Sequence, residues 1–148
     1  MFDEGRWMVT TWIVVASRDQ VRVFSRKGLE RLQLEWEVGN ASGRLKNQDL
    51  ESDRHGASTD NRMRAQQAYS TEEEARDRLL KNFYREFLSS LEHAFVAQDV
   101  DKLIIAAEPR LLGVLRQLLP HSLSRALSQE IHKDLWHENA EAITMRIS

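Results

Sequence analysis

Leu103-Ile104-Ile105-Ala106-Ala107-Glu108-Pro109-Arg110-Leu111-Leu112 is the stretch whose reading decides the fold. Its first five residues are apolar without interruption. Such a run has no wet face, so it reads as a central strand covered on both sides, as in a parallel sheet. Pro109 suits the first turn of a helix, where its missing N–H costs nothing. Leu111, Leu112, Val114, Leu115, Leu118 and Leu119 recur at helical spacing until Pro120 ends the pattern. Gly113, inside that pattern, is expected to permit close packing. A buried strand followed directly by a helix places the chain in the α/β class.

Before this strand, Leu79/Leu80, Phe83, Phe87, Leu91 and Phe95 recur every three to four residues and predict a long helix reaching about Gln98. Its start is expected at Ser70 or Thr71, where Ser70 with Glu73, or Thr71 with Glu74, forms a capping-box pattern. Nearer the amino terminus, Trp12-Ile13-Val14-Val15-Ala16 reads as a buried strand and Ser17-Arg18-Asp19-Gln20 as a tight turn. Val21-Arg22-Val23-Phe24 follows, with the two valines on one face. Leu32, Leu34 and Trp36 alternate with Gln33, Glu35 and Glu37, so residues 31–38 read as a half-buried strand. Beyond Pro120, residues 121–128 read as a short helix and 129–135 as an edge strand. Asn139 is placed to cap a last helix. The expected whole is a single-domain mixed β-sheet with packed helices, built from a β-meander, a long loop, a long helix, then alternating strand and helix. Residues 1–10 read as an N-terminal extension and 11–148 as the domain.

The chain has 148 residues, enough for one domain with one sizeable core. Its 21 basic and 23 acidic side chains leave a net charge of −2, which argues against a general nucleic-acid coat. There are no cysteines, which excludes disulfides, thiolate catalysis and Cys-based zinc sites. No apolar run approaches the ~20 residues of a membrane span, and residues 1–7 lack the apolar core of a signal peptide. A cytoplasmic place, with no membrane and no DNA partner, is therefore expected.

Residues 39–71 are rich in Gly, Asn, Ser and Asp and poor in large apolar side chains, the composition of a long exposed loop. Arg44, Lys46, Arg54, Arg62 and Arg64 on it could follow an RNA backbone, although Asp49, Glu51, Asp53 and Asp60 nearly balance them. Asp53-Arg54-His55 joins a carboxylate, a guanidinium and an imidazole, groups able to grip phosphate and shuttle protons. A hydrogen-bonded, solvated turn explains the same three residues. Arg110, Lys133 and Asp134 form a second polar cluster at a sheet edge, or a surface ion pair. His121, His132 and His137 lack metal-ligand spacing, so no metal is expected. No glycine-rich phosphate loop or serine elbow exists, and no cofactor is expected. Trp136 is expected to pack over the sheet, with base stacking as its alternative.

The order of elements resembles the central domain of archaeal and eukaryotic peptide-chain release factors and Pelota. More closely, the sequence resembles a bacterial family of small proteins related to that domain, many of which carry the description "protein required for attachment to host cells". The matching stretches are Trp12 to Ala16, Val21 to Phe24, Leu50-Glu51-Ser52-Asp53-Arg54-His55-Gly56, Leu103 to Gly113 and Glu130-Ile131-His132-Lys133-Asp134-Leu135. The resemblance implies a release-factor central-domain-like fold and contact with the ribosome or with structured RNA. In release factors the long loop carries Gly-Gly-Gln, which promotes peptidyl-tRNA hydrolysis. This chain contains no Gly-Gly-Gln, so that activity is not carried over. Two alternatives stand beside a translation-associated factor. One is an interaction module, homodimeric through an edge strand at 31–38 or 129–135, with any host-attachment role following from it. The other is a nuclease or hydrolase using Asp53 and His55.

Overall fold

The computed structural model describes residues 8–39 and 62–147, with 62–70 as backbone only. Three strands open the chain: β1 (Thr10–Ala16), β2 (Gln20–Lys27) and β3 (Gln33–Gly39). Helix α1 (Arg62–Ala97) leads to β4 (Lys102–Ala106), then α2 (Pro109–Leu118), α3 (His121–Ala126), β5 (Leu127–Ile131) and α4 (Ala140–Met145). The five strands form one sheet in the order β3-β2-β1-β4-β5. β1–β2 and β2–β3 are antiparallel, as short turns require, whereas β1–β4 and β4–β5 are parallel and need crossovers.

Both faces of the central strands are covered, which is why β1 and β4 are apolar at consecutive positions. On one face Trp12, Val14, Val23, Leu103 and Ile105 pack against Tyr84, Phe87, Leu88 and Leu91 of α1 and Leu111, Leu112 and Leu115 of α2. Rings meet edge-on there, Trp12 lying 5.3 Å from Trp36 and 5.9 Å from Phe95 between centroids. On the other face Ile13, Val15, Phe24, Ile104 and Ile131 pack under Leu135 and Ile143. The segment after β5 thus forms the second cover. Trp136 packs there too, with the Arg22 guanidinium 4.0 Å from its ring centroid and Arg22 Nη1 donating to its carbonyl at 3.0 Å.

Several expectations are corrected. α1 begins at Arg62, so Ser70 and Thr71 lie inside it and not at its start. The reason is local: Arg62-Met63-Arg64-Ala65-Gln66-Gln67-Ala68 are good helix formers without Gly or Pro. The loop expected over 39–71 therefore ends ten residues early, and residues 40–61 lie outside the described residues. In β3 the register shifts between Val23/Phe24, with Trp36 opposite Val23 and Leu34 opposite Phe24. That bulge at Glu35 breaks the alternation. Leu32 joins the Phe24 face, Trp36 packs on the α1 face, and Leu34 stays exposed. The edge strand expected over 129–135 is β5, which ends at Ile131. Asp134 Oδ1 accepts the Trp136 N–H at 2.9 Å, a local turn that competes with strand pairing. Gly113 has open space where a Cβ would stand, so it serves no close approach. β1 takes in Thr10, one residue of the stretch read as an extension.

Asn139 caps α4 as expected, accepting the Ala142 N–H at 2.8 Å. Among the described residues no helix is long and apolar enough to cross a membrane.

Candidate functional site at the carboxyl edge of the sheet

The parallel strands β1, β4 and β5 all point their carboxyl ends the same way, and side chains just beyond those ends meet in one cleft. Ser17 and Arg18 follow β1, Glu108 follows β4 and Asp134 follows β5; with Arg110 they line a cavity of about 440 Å³. An adjoining cavity of about 230 Å³ shares Arg18, Glu108 and Arg110 and is bounded on one side by α1, through Glu73, Asp77, Leu80 and Lys81. Open α/β sheets place ligands outside the carboxyl ends of their strands for a simple reason. There the backbone turns away and leaves a crevice bounded by helix starts.

The cleft is held from below. The Tyr84 hydroxyl donates to the Ser17 carbonyl oxygen and lies 3.4 Å from the Gln20 carbonyl oxygen. The Ser17 N–H and hydroxyl donate to the same Gln20 carbonyl at 2.8 and 3.1 Å. This fixes the β1–β2 turn, and with it the backbone of Arg18, onto the middle of α1. Burial, then the nearby Asp19 carboxylate, push the Tyr84 hydroxyl well above the usual tyrosine range. On the far wall α2 starts at Pro109, with Leu111 and Leu112 anchoring its first turn in the core. The Glu108 side chain does not cap that helix, so its carboxylate is not consumed by the backbone. Among the described residues neither Arg18 nor Arg110 forms an ion pair, although both share the cleft with carboxylates.

Of the second polar cluster read in the sequence, Arg110 and Asp134 line one cavity, whereas Lys133 is exposed and does not line it. Arg18 and Glu108 were missed. The signal was present: each sits just after the carboxyl end of a strand that the sequence itself marks as buried. Arg44, Lys46, Asp53, Arg54 and His55 lie outside the described residues, as do the side chains of Arg62 and Arg64. Their attachment points are nevertheless informative. Gly39, the last residue of β3, pairs with Gln20 at the β1–β2 turn, so the chain leaves the sheet beside the cleft. It returns at the start of α1, whose 36 residues span about 54 Å. The seven-residue β1 spans only about 23 Å. The amino-terminal part of α1 therefore runs past the sheet at this same end.

A separate polar group lies on α2 and β5. Arg116 makes a bidentate contact with Glu130, whose Oε2 is 3.4 Å from His132 Nε2. The Arg116 hydrogen bond holds the Glu130 carboxyl below its usual range. Arg116 is exposed and Glu130 partly so, as in an ordinary surface ion pair.

A family model described as bacterial archaeo-eukaryotic release factor family 12 matches residues 10–147; that description speaks of release factors and not of host attachment. Among solved structures, the crystal structure of the archaeal translation termination factor aRF1 aligns with a TM-score of 0.55 at 12% identity, covering 93% of this chain and 35% of that one. A second structure, described only as an archaeal protein, aligns with a TM-score of 0.51 at 13% identity, covering 84% of this chain and 30% of that one. The chain thus spans about a third of the length of these structures and shares their fold over that part. No curated protein matches the sequence.

Proposed function

The chain belongs to bacterial archaeo-eukaryotic release factor family 12, and on that premise we propose that it is a small translation-associated factor that binds the ribosome or structured RNA, without peptidyl-tRNA hydrolysis. The observation that carries this reading is the set of cations that line the carboxyl-edge cleft. Arg18, Lys81 and Arg110 line the carboxyl-edge cleft, interspersed with Glu73, Asp77 and Glu108. The segment bearing Arg44, Lys46 and Arg54 connects Gly39, which pairs with Gln20 at the β1–β2 turn, to Arg62, and itself lies outside the described residues. A phosphate backbone meeting the cleft finds several cations without the whole protein being basic. Without Gly-Gly-Gln the release-factor route to hydrolysis is not carried over, and binding is the activity proposed.

The homodimeric alternative through β3 has a charge pattern against it. Two-fold antiparallel pairing centred near Trp36 sets Glu35 against Glu37 of the other copy, and like charges opposite one another destabilise a sheet. For the hydrolase alternative, His55→Ala should abolish any RNA degradation by the purified protein.

The test is sedimentation of the tagged chain with ribosomal fractions of a bacterial lysate, at low and high salt, beside a variant with Arg44, Lys46 and Arg54 all changed to Gln. The expected result is co-sedimentation that weakens steeply with salt, by roughly 0.7 to 0.9 in the log–log slope for each phosphate contact. The triple variant should lose it. No co-sedimentation at low salt, or full retention in the triple variant, refutes the reading.

A further inference from the structure

We infer that the carboxyl-edge cleft is a binding site for a ribonucleotide, with Arg18 and Arg110 on its phosphate and Glu108 on its ribose hydroxyls. This does not rest on ribosome binding. It rests on three features of the cleft.

The first is the guanidinium pair. Arg18 and Arg110 come from different elements, the β1–β2 turn and the first turn of α2, and reach the same two cavities. Neither is ion-paired among the described residues. Planar guanidinium groups that are not already engaged match phosphate oxygens geometrically and need no partner removed first. Their backbones are held, Arg18 by the Tyr84–Ser17 contact and Arg110 by the burial of Leu111 and Leu112. Little chain ordering therefore remains to be done on binding.

The second is the carboxylates. A ligand offering only negative charge would be repelled by Glu108 and Asp134 in the larger cavity, since two cations face two anions there. One Asp134 oxygen already accepts the Trp136 N–H. Glu108 spends nothing on capping α2 and keeps its acceptor capacity. A ligand suited to this wall carries hydroxyl donors close to its phosphate, and a ribose does so. The third is the wall beyond the arginines. Leu80, Leu111 and Val114 line the smaller cavity beside Glu73, Asp77 and Lys81, and offer an apolar patch to a base whose amino groups the two carboxylates can accept from. The larger cavity, about 440 Å³, lies within the range of roughly 300–1,000 Å³ usual for small-ligand sites.

The experiment is an NMR titration of the full chain with adenosine 5′-monophosphate (AMP), its 2′-deoxy analogue, adenosine and inorganic phosphate at low salt. AMP should saturate with a dissociation constant near or below about 1 mM, and adenosine should bind at least about tenfold more weakly. Arg18→Gln and Arg110→Gln should each weaken AMP by about ten- to a hundredfold. Both side chains are exposed, so urea melts of these variants should overlay the parent. Glu108→Gln should erase the difference between AMP and its deoxy analogue. Two RNA oligonucleotides, with and without a 5′-phosphate, distinguish the source. Binding of the phosphorylated oligonucleotide points to an RNA terminus, and binding of AMP alone points to a free nucleotide. The Arg44/Lys46/Arg54 variant should keep its AMP affinity, which separates this site from the ribosome reading. Failure of AMP to saturate below about 10 mM, or AMP affinity unchanged in an Arg18→Gln, Arg110→Gln double variant, overturns the inference.

Discussion

Replacing Tyr84 by Phe tests how the cleft is built. The ring is fully buried between α1 and the sheet, and Phe refills that volume, so no cavity opens. What disappears is the hydroxyl. The Ser17 carbonyl loses its donor, and one hydrogen bond anchoring the β1–β2 turn is gone. A net loss of about 1–2 kcal/mol follows for one such bond with a partly buried acceptor left behind. In urea this moves the midpoint down by roughly 0.5–1 M. The pH dependence adds a sharper signature. The folded-state pKa of Tyr84 is raised above its unfolded value near 10, chiefly by burial. The folded protein therefore holds the proton more tightly, and this stabilisation is complete below about pH 10. It is lost as pH rises from there toward the folded-state pKa, by up to about 1.4 kcal/mol per pH unit. Urea melts followed by tryptophan fluorescence between pH 7 and 11.5 should show a shallower alkaline decline in the variant. Identical midpoints at pH 7 together with identical alkaline slopes would refute the anchoring role. Weakened AMP binding should accompany the stability loss, because Arg18 sits on the released turn.

Gly113→Ala should stabilise the fold by about 0.5–1 kcal/mol, since the glycine is helical and its missing Cβ points into open space; thermal melts measure it. Asn139→Ala removes the α4 cap and should cost about 1 kcal/mol in urea denaturation. Gly28 adopts φ +56, so Gly28→Ala should destabilise by about 1–2 kcal/mol in the same assay. The Glu130 carboxyl is held low by Arg116, so its contribution is present above the usual glutamate range and fades as pH falls through the lowered value. Glu130→Gln should flatten that part of the acid melting profile.

Where one chemical pattern sets one local structure, the sequence sufficed. The unbroken apolar run at Leu103 could only be a strand covered twice, and Pro109 and Pro120 bracket α2 within two residues. Asn139 caps α4 because capping is decided within one turn. Periodicity failed wherever the outcome depended on a neighbour. The bulge at Glu35 puts Leu34 and Trp36 on opposite faces, and only the pairing with β2 reveals it. The start of α1 was misplaced because Ser70 and Thr71 cap well in isolation, yet the good helix formers before them continue the helix.

The candidate site divides along the same line. Arg110, just past the apolar run at Leu103, and Asp134, in the polar stretch between Ile131 and Leu135, were visible as a polar cluster from local sequence. That Arg18 and Glu108 join them, while Lys133 does not, follows from the parallel alignment of β1, β4 and β5. Alternation along each segment told which residues face a core. Only the tertiary structure decided which strand ends share one edge, because strand order is a choice among long-range pairings that no local pattern encodes.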